Sequence, residues 1–388
     1  MPVNYLELNN QINQMGKDAR AREAELHSTL ERLSTLLDAH AEDILYLQQK
    51  VEEATAKTRG LRCAIPVSEP LNAHIPCSLP APACTLFAAD GSQVNPDPHD
   101  TILYGLVNIG VFCIQPGSGL VPSEITNSSL LYGDALYSAG GTASEELISL
   151  LRDVRERETL AELAQSVPSP VVTLTDGPLE LYHEPRQEKQ FEVEFKNYLK
   201  ALDDLAINDV ITAGYVSRPR ADLVVRLLSL AGDDDQANPE PSSFTGLTDT
   251  ALFSDLLAAG ERSAIFRLQS RSSGDYPGRK ALHFFYLNVG TASQPVFARV
   301  EIPLWVVENP LHVLLLHSVL VEQAHLSGAV PYPYPLIRAH EIAVVKMTDH
   351  QELTRMIESE LIRQGFTPGR KSEKQVHKEH SERTRMNR

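Results

Sequence analysis

Ala83-Cys84-Thr85-Leu86-Phe87-Ala88-Ala89-Asp90-Gly91-Ser92 is an apolar run of buried-strand length that ends in a carboxylate followed by glycine. Val171-Val172-Thr173-Leu174-Thr175 repeats the pattern and runs into Asp176-Gly177-Pro178. An isolated Asp-Gly is also an ordinary tight-turn signal. Neither copy, however, is followed directly by a clean alternating strand, as a simple hairpin requires. Both are read here as strands closed by an Asp-Gly corner. A carboxylate at a strand tip is rigidly held, and the glycine beside it admits a close neighbour. Two such tips can share a cation.

The residues between and after these runs give the rest of an α/β pattern. Thr101 to Gln115 is rich in β-branched and aromatic residues and predicts one or two strands, with Gly105 and Gly110 as bends or bulges. Ser144 to Ser166 predicts a helix capped at Ser144, with Leu147, Leu151, Val154, Ala161 and Gln165 on one stripe. Glu158 falls on that stripe and Glu156 on the other side, so Glu158 is read as the buried glutamate and Glu156 as the solvated one. A buried glutamate needs a metal or an ion-pair partner, and Arg155 is close enough to be the latter. A helix over Gln190 to Leu205 and a strand over Val210 to Val216 follow, ending in Ser217-Arg218-Pro219-Arg220. Arg218 and Arg220 are candidate phosphate contacts, although a solvated basic corner is the commoner meaning. Gly232 to Pro241 is an acidic loop. Strands return at Leu282 to Val289 and Val296 to Val307, the latter with Arg299 and Glu301 on one face. A helix from Pro310 to Leu326 precedes Tyr332-Pro333-Tyr334-Pro335, whose prolines open another helix bearing His340.

Upstream, Leu26, Leu30, Leu33, Leu37, Ile44, Leu47 and Val51 form a heptad seam if His40 is counted in it. Residues 1–58 are therefore expected to be a coiled-coil-like helix, 59–82 a Pro-rich connector, 83–366 the main α/β domain and 367–388 a basic tail without order. The 388 residues, 42% hydrophobic and 22% charged, suffice for a large core. No apolar run reaches membrane-spanning length and Met1 to Gln14 is too polar for a secretory signal, so a soluble, cytoplasmic protein without membrane contact is expected. Cys63, Cys77, Cys84 and Cys113 match neither a zinc nor a redox spacing and read as reduced packing residues. A net charge of -16 confines any nucleic-acid contact to local basic clusters.

Asp90, Glu158, Asp176 and His340 thus recur in the order strand, helix, strand, helix. Three carboxylates with one imidazole suit Mn²⁺, with Mg²⁺ also possible, and such ions hydrolyse phosphodiesters. A haloacid-dehalogenase-type phosphatase does not fit, because its nucleophilic aspartate would fall on Ala88 or Leu174. Asp90-Gly91-Ser92, Glu158, Asp176-Gly177 and Tyr332-Pro333 through Ala339-His340 resemble the NurA nucleases over about Ala83 to Val345. The resemblance implies an RNase H-like mixed sheet flanked by helices and a manganese-dependent nuclease acting on single-stranded DNA and duplex ends. It also implies a homodimer and a HerA-type hexameric ATPase as partner, in DNA end resection, double-strand break repair or defence. The alternative is a catalytically silent coiled-coil adaptor whose carboxylates are structural.

Overall fold

The computed structural model describes residues 4–97, 102–136, 145–182, 189–232, 244, 246–328 and 330–366. Ser144, the acidic stretch 233–241 and the tail 367–388 lie outside the described residues. The strands, in chain order, are β1 Cys63–Pro66, β2 Thr85–Val94, β3 Gly105–Ile114, β4 Ser123–Leu131, β5 Val171–Asp176, β6 Ile211–Ser217, β7 Phe266–Gln269, β8 Leu282–Asn288 and β9 Phe297–Pro303. The helices are α1 Tyr5–Ala39, α2 Ile44–Lys57, α3 Glu145–Ala164, α4 Lys189–Ile207, α5 Leu223–Gly232, α6 Asp249–Phe253, α7 Leu304–Val307, α8 Pro310–His325, α9 Tyr334–Ala343 and α10 Met347–Arg363. The protein is mixed α/β. Among the described residues no helix is long and apolar enough to cross a membrane.

The chain divides into two compact units. The first comprises the chain up to Pro82, Gly177–Leu179 and Gly214–Tyr332; the second comprises Ala83–Asp176, Glu180–Ala213 and the chain from Pro333. In the first, β1, β7, β8 and β9 form an antiparallel ladder that ends on Gly214–Ser217 of β6. Every residue of β8 and β9 is buried, so their polar side chains must find partners inside. Arg299 and Glu301 do share a face, as the sequence predicts: Arg299 Nη2 donates to Glu301 Oε1 at 2.7 Å, and Glu301 Oε2 accepts from the Leu179 N–H at 2.9 Å. The strand stops at Pro303, and Trp305 belongs to the short helix α7 rather than to the strand.

The heptad seam is interrupted. Helix α1 ends at Ala39 and α2 begins at Ile44, with His40 Nδ1 2.9 Å from Asp43 Oδ2 across the turn. Leu33, Leu37, Leu47 and Val51 are buried in the first unit, where α1 and α2 pack on α5. From Leu33 to Val51 the 3–4 spacing gives a core-facing stripe, which shares its period with a coiled-coil seam, whereas Leu26 is exposed. Strand β1 likewise lies within the Pro-rich stretch, since Cys63–Pro66 precedes most of its prolines.

In the second unit β2 pairs in parallel with β5 and antiparallel with β3, which pairs antiparallel with β4. Asp90 is not at a strand tip. The β2–β3 ladder runs on past Asp90↔Gly110 to Val94↔Leu106, whereas the parallel pairing with β5 is recorded only as far as Ala89↔Thr175 and β5 ends at Asp176. The sheet therefore stops on one side of Asp90 and continues on the other. Gly105 and Gly110 are regular positions of β3, not bends.

Asp249 in the first unit offers a pH test of buried-charge energetics. Its carboxylate accepts the N–H groups of Val224 and Val225 at the start of α5, each at 2.9 Å, and the Tyr286 hydroxyl at 2.6 Å. Burial outweighs these bonds and pushes its pKa from 3.8 up to about 6. The folded state thus binds the extra proton between pH 6 and pH 4, and stability rises as pH falls through that window. Urea unfolding of wild type and Asp249→Asn at pH 7 and pH 4 should show the difference moving towards wild type by on the order of 2 kcal/mol at the lower pH.

Candidate metal and phosphodiester site

The second unit holds Asp90, Asp176, Glu156, Glu158 and His340. Side chains alternate along β2, which sets them on two faces. Thr85, Phe87, Ala89 and Gly91 turn towards α3, and Asp90 and Ser92 towards α9. Asp176, the last residue of β5, follows Thr175, the register partner of Ala89, just as Asp90 follows Ala89 on β2.

Helix α9 is seated by backbone contact. A Cβ added to Gly110 would stand 2.4 Å from the Ala343 nitrogen and 2.6 Å from the Ala339 carbonyl oxygen, so glycine is required for the helix to lie this close. The carbonyl of Ala343, at the end of α9, accepts from Ser92 Oγ at 2.5 Å and Asn108 Nδ2 at 2.7 Å. Ser128 Oγ in turn donates to Asn108 Oδ1 at 2.6 Å. Arg338 on the same helix pairs with Glu124 of β4 at 2.7 Å and lies over the Phe112 ring. These contacts fix the phase of α9, and His340 Nδ1 comes to 2.7 Å from Asp90 Oδ2. The other oxygen of Asp90 accepts the Gly91 N–H at 2.9 Å.

On the opposite face α3 lies over Gly91. A Cβ there would stand 2.5 Å from Arg152 Cγ and 2.6 Å from Glu156 Oε1. Glu156 is 7% exposed, and burial, then the charges of Asp153 and Asp90, push its carboxyl well above the usual range; Arg152 and Arg157 pull the other way. The expectation that Glu158 is the buried glutamate is overturned. Glu158 is half-buried and pairs with Arg155 Nη1 at 2.5 Å, the structural alternative. The reason is packing on two sides: α3 touches both the sheet and α4, so Ile148, Leu150, Glu156, Arg157 and Leu160 are buried as well, while Gln165 is exposed. A single stripe does not phase a helix with two buried faces.

Arg152 and Asp153 join the cluster, and the sequence reading missed both; their i, i+1, i+4 spacing with Glu156 was the available signal. Arg157 is 3% exposed, donates through Nη2 to Thr175 Oγ1 at 2.7 Å and lies over the Tyr198 ring, with its Nε and Nη1 unpartnered. Arg218 and Arg220 are exposed in the first unit at the end of β6, outside the unit that carries the carboxylates. Among the described residues no three His, Cys, Asp or Glu side chains converge tightly enough to hold a metal ion. The donor types nonetheless suit a hard divalent cation: carboxylates with one imidazole, and a buried glutamate with Asp153 and Asp90 as like-charged neighbours, opposed by Arg152 and Arg157.

Fold and site together define a mixed α/β protein in which a parallel strand pair carries two aspartates, with a glutamate and a histidine supplied by helices on opposite faces. The NurA domain model matches residues 84–345, and the chain belongs to the NurA family. Similar solved structures include the NurA nuclease from Sulfolobus solfataricus, 13% identical with a TM-score of 0.49, the match covering 86% of this chain and 97% of that one. The catalytic domain of human endonuclease V is 15% identical with a TM-score of 0.32, covering 81% of this chain and 98% of that one. LC9-RNase H1, a type 1 RNase H, is 12% identical with a TM-score of 0.22, covering 41% and 77%. No curated protein matches the chain significantly.

The two glycines should respond differently to alanine. Gly110→Ala drives a methyl into backbone, which cannot yield, and should cost about 3 kcal/mol in denaturant unfolding. Gly91→Ala meets side chains rather than backbone, and should cost less, about 1 kcal/mol, while displacing Arg152 and Glu156. Equal costs would mean that α9 is not held by close approach.

Proposed function

We propose that the protein is a metal-dependent DNA nuclease with an RNase H-like arrangement, hydrolysing phosphodiester bonds in single strands and at duplex ends. The observation that carries this reading is the grouping of Asp90, Asp176, Glu156 and His340 in one unit of a NurA-family chain. Asp90, Glu156, Asp176 and His340 would hold Mn²⁺, with Mg²⁺ as the alternative ion; the geometry favours Glu156 over Glu158. A divalent cation supplies Lewis acidity towards the phosphodiester. The chain's own part is positional. Asp90 is held between the Gly91 N–H and the exposed His340 imidazole, and Gly91 leaves room for Glu156.

Family membership supports a homodimer, a HerA-type hexameric ATPase as partner, and a cytoplasmic role in DNA end resection, double-strand break repair or defence. The exposed residues Tyr5, Leu8, Ile12 and Met15 of α1 keep a 3–4 spacing upstream of the buried part of that helix, and we assign them to this assembly. Exposed Arg218 and Arg220 are proposed to contact DNA phosphates.

Purified protein incubated with end-labelled single- and double-stranded DNA in Mn²⁺, Mg²⁺ or chelator tests the reading. Wild type should cleave with metal and not with chelator. Asp90→Asn and Glu156→Gln should each lose at least ~10²-fold in rate, His340→Ala should lose less, and Glu158→Gln should stay within a few-fold of wild type. A folded wild type inert with both ions and both substrates would leave the adaptor reading in its place.

A further inference from the structure

Arg152 sits where the acidic cluster needs a positive charge. Its Nη2 and Nε donate to Asp153 Oδ1 at 2.8 and 3.0 Å, and Nε lies 3.8 Å from Glu156 Oε1, one helical turn on. Its stem lies directly on Gly91, the neighbour of Asp90. Burial opposes its charge, but Asp153, Glu156 and Asp90 together outweigh it and favour the charged form. We infer that Arg152 is the resident counter-cation of this cluster, a positioning residue that competes with a divalent metal ion for Glu156 and so sets the affinity of the site. The inference rests on the cation-dependent reading of the site given above.

Geometry gives the guanidinium this part and withholds it from Arg157. The 3.8 Å approach to Glu156 is too long for a hydrogen bond, and the Arg152 side chain is 31% exposed. Such a partly solvated pair is cheap to break. Arg157 is buried, bonded to Thr175 and packed over Tyr198, so it cannot leave. A divalent ion brings two charges and direct bonds to oxygen where Arg152 brings one charge at a distance. Metal entry at Glu156 therefore gives up only the long approach of Arg152, whose hydrogen bonds to Asp153 can stay.

The test is Mn²⁺ affinity, measured by calorimetry or electron paramagnetic resonance on the full chain, with melting temperature in chelator and in Mn²⁺ as a second readout. Arg152→Gln should bind Mn²⁺ on the order of tenfold more tightly than wild type, because one repelling charge is gone. It should melt lower in chelator and gain more from Mn²⁺ than wild type does. Arg152→Met keeps the stem over Gly91 and should show the same tightening, which covers a folding failure of the glutamine variant. Arg152→Lys keeps the charge and should stay near wild type. Unchanged or weaker Mn²⁺ binding in a folded uncharged variant overturns the inference. If wild type binds Mn²⁺ and Asp90→Asn does not, that result leaves the nuclease reading standing. Absence of binding in wild type and variants alike overturns both.

Discussion

The backbone of helix α9 touches the backbone of β3 at Gly110, and the site depends on this contact. Gly110 is the register partner of Asp90, so the helix lies closest to the sheet beside the aspartate it serves. A side chain at 110 would lift α9 by the thickness of a methyl group. His340 would then lose a 2.7 Å contact with Asp90. Ser92 and Asn108 secure the same helix through one carbonyl, that of Ala343, so the serine of the Asp-Gly-Ser sequence is a docking residue. The two glycines flanking Asp90 in space thus have complementary tasks: Gly110 admits a helix backbone on one face and Gly91 admits side chains of α3 on the other.

The two units treat buried charge differently. In the first, Glu301 is bonded to Arg299 and to a backbone N–H, and Asp249 receives three donors. Those carboxylates are satisfied by the protein itself, as buried groups usually are. In the second, the nearest guanidinium nitrogen to Glu156 is 3.8 Å away, and two carboxylates repel it. A carboxyl buried without a close partner costs folding free energy that a merely structural glutamate would not need to incur. Such a departure from full compensation is what the proposed cation site requires.

Much of this arrangement was legible in the sequence. The apolar runs ending in Asp90 and Asp176, the strand at 211–217, the β8–β9 pair with Arg299 and Glu301, and the proline-started helix carrying His340 were all readable, because fully buried strands and proline-initiated helices have strong local signatures. What failed depended on partners distant in sequence. The continuation of β2 past Asp90 is set by β3, the choice of Glu156 over Glu158 by the second buried face that α4 gives α3, and the break in the heptad by a turn whose apolar flanks fit either a core or a coiled coil. Strand β4 was missed for the opposite reason. Its sequence, Ser-Glu-Ile-Thr-Asn-Ser-Ser-Leu-Leu, is largely exposed and carries no clean hydrophobic alternation, so β3 alone specifies it.

The same electrostatics tie the proposed chemistry to stability. A cation that binds only the folded state adds stability in proportion to the logarithm of its concentration over its dissociation constant. A cluster with excess negative charge has the most to gain from such binding. Arg152 limits both extremes. On the proposal above it supplies positive charge over Gly91 without metal, and only its long approach to Glu156 is given up when a cation enters. Replacing it by a better-buried cation in the manner of Arg157 would stabilise the metal-free fold and weaken metal binding together, since both rest on the same unneutralised carboxylates. On this proposal the partly exposed ion pair on α3 constrains the site as the glycines do, because the carboxylates that would draw a cation are the ones that hold the arginine.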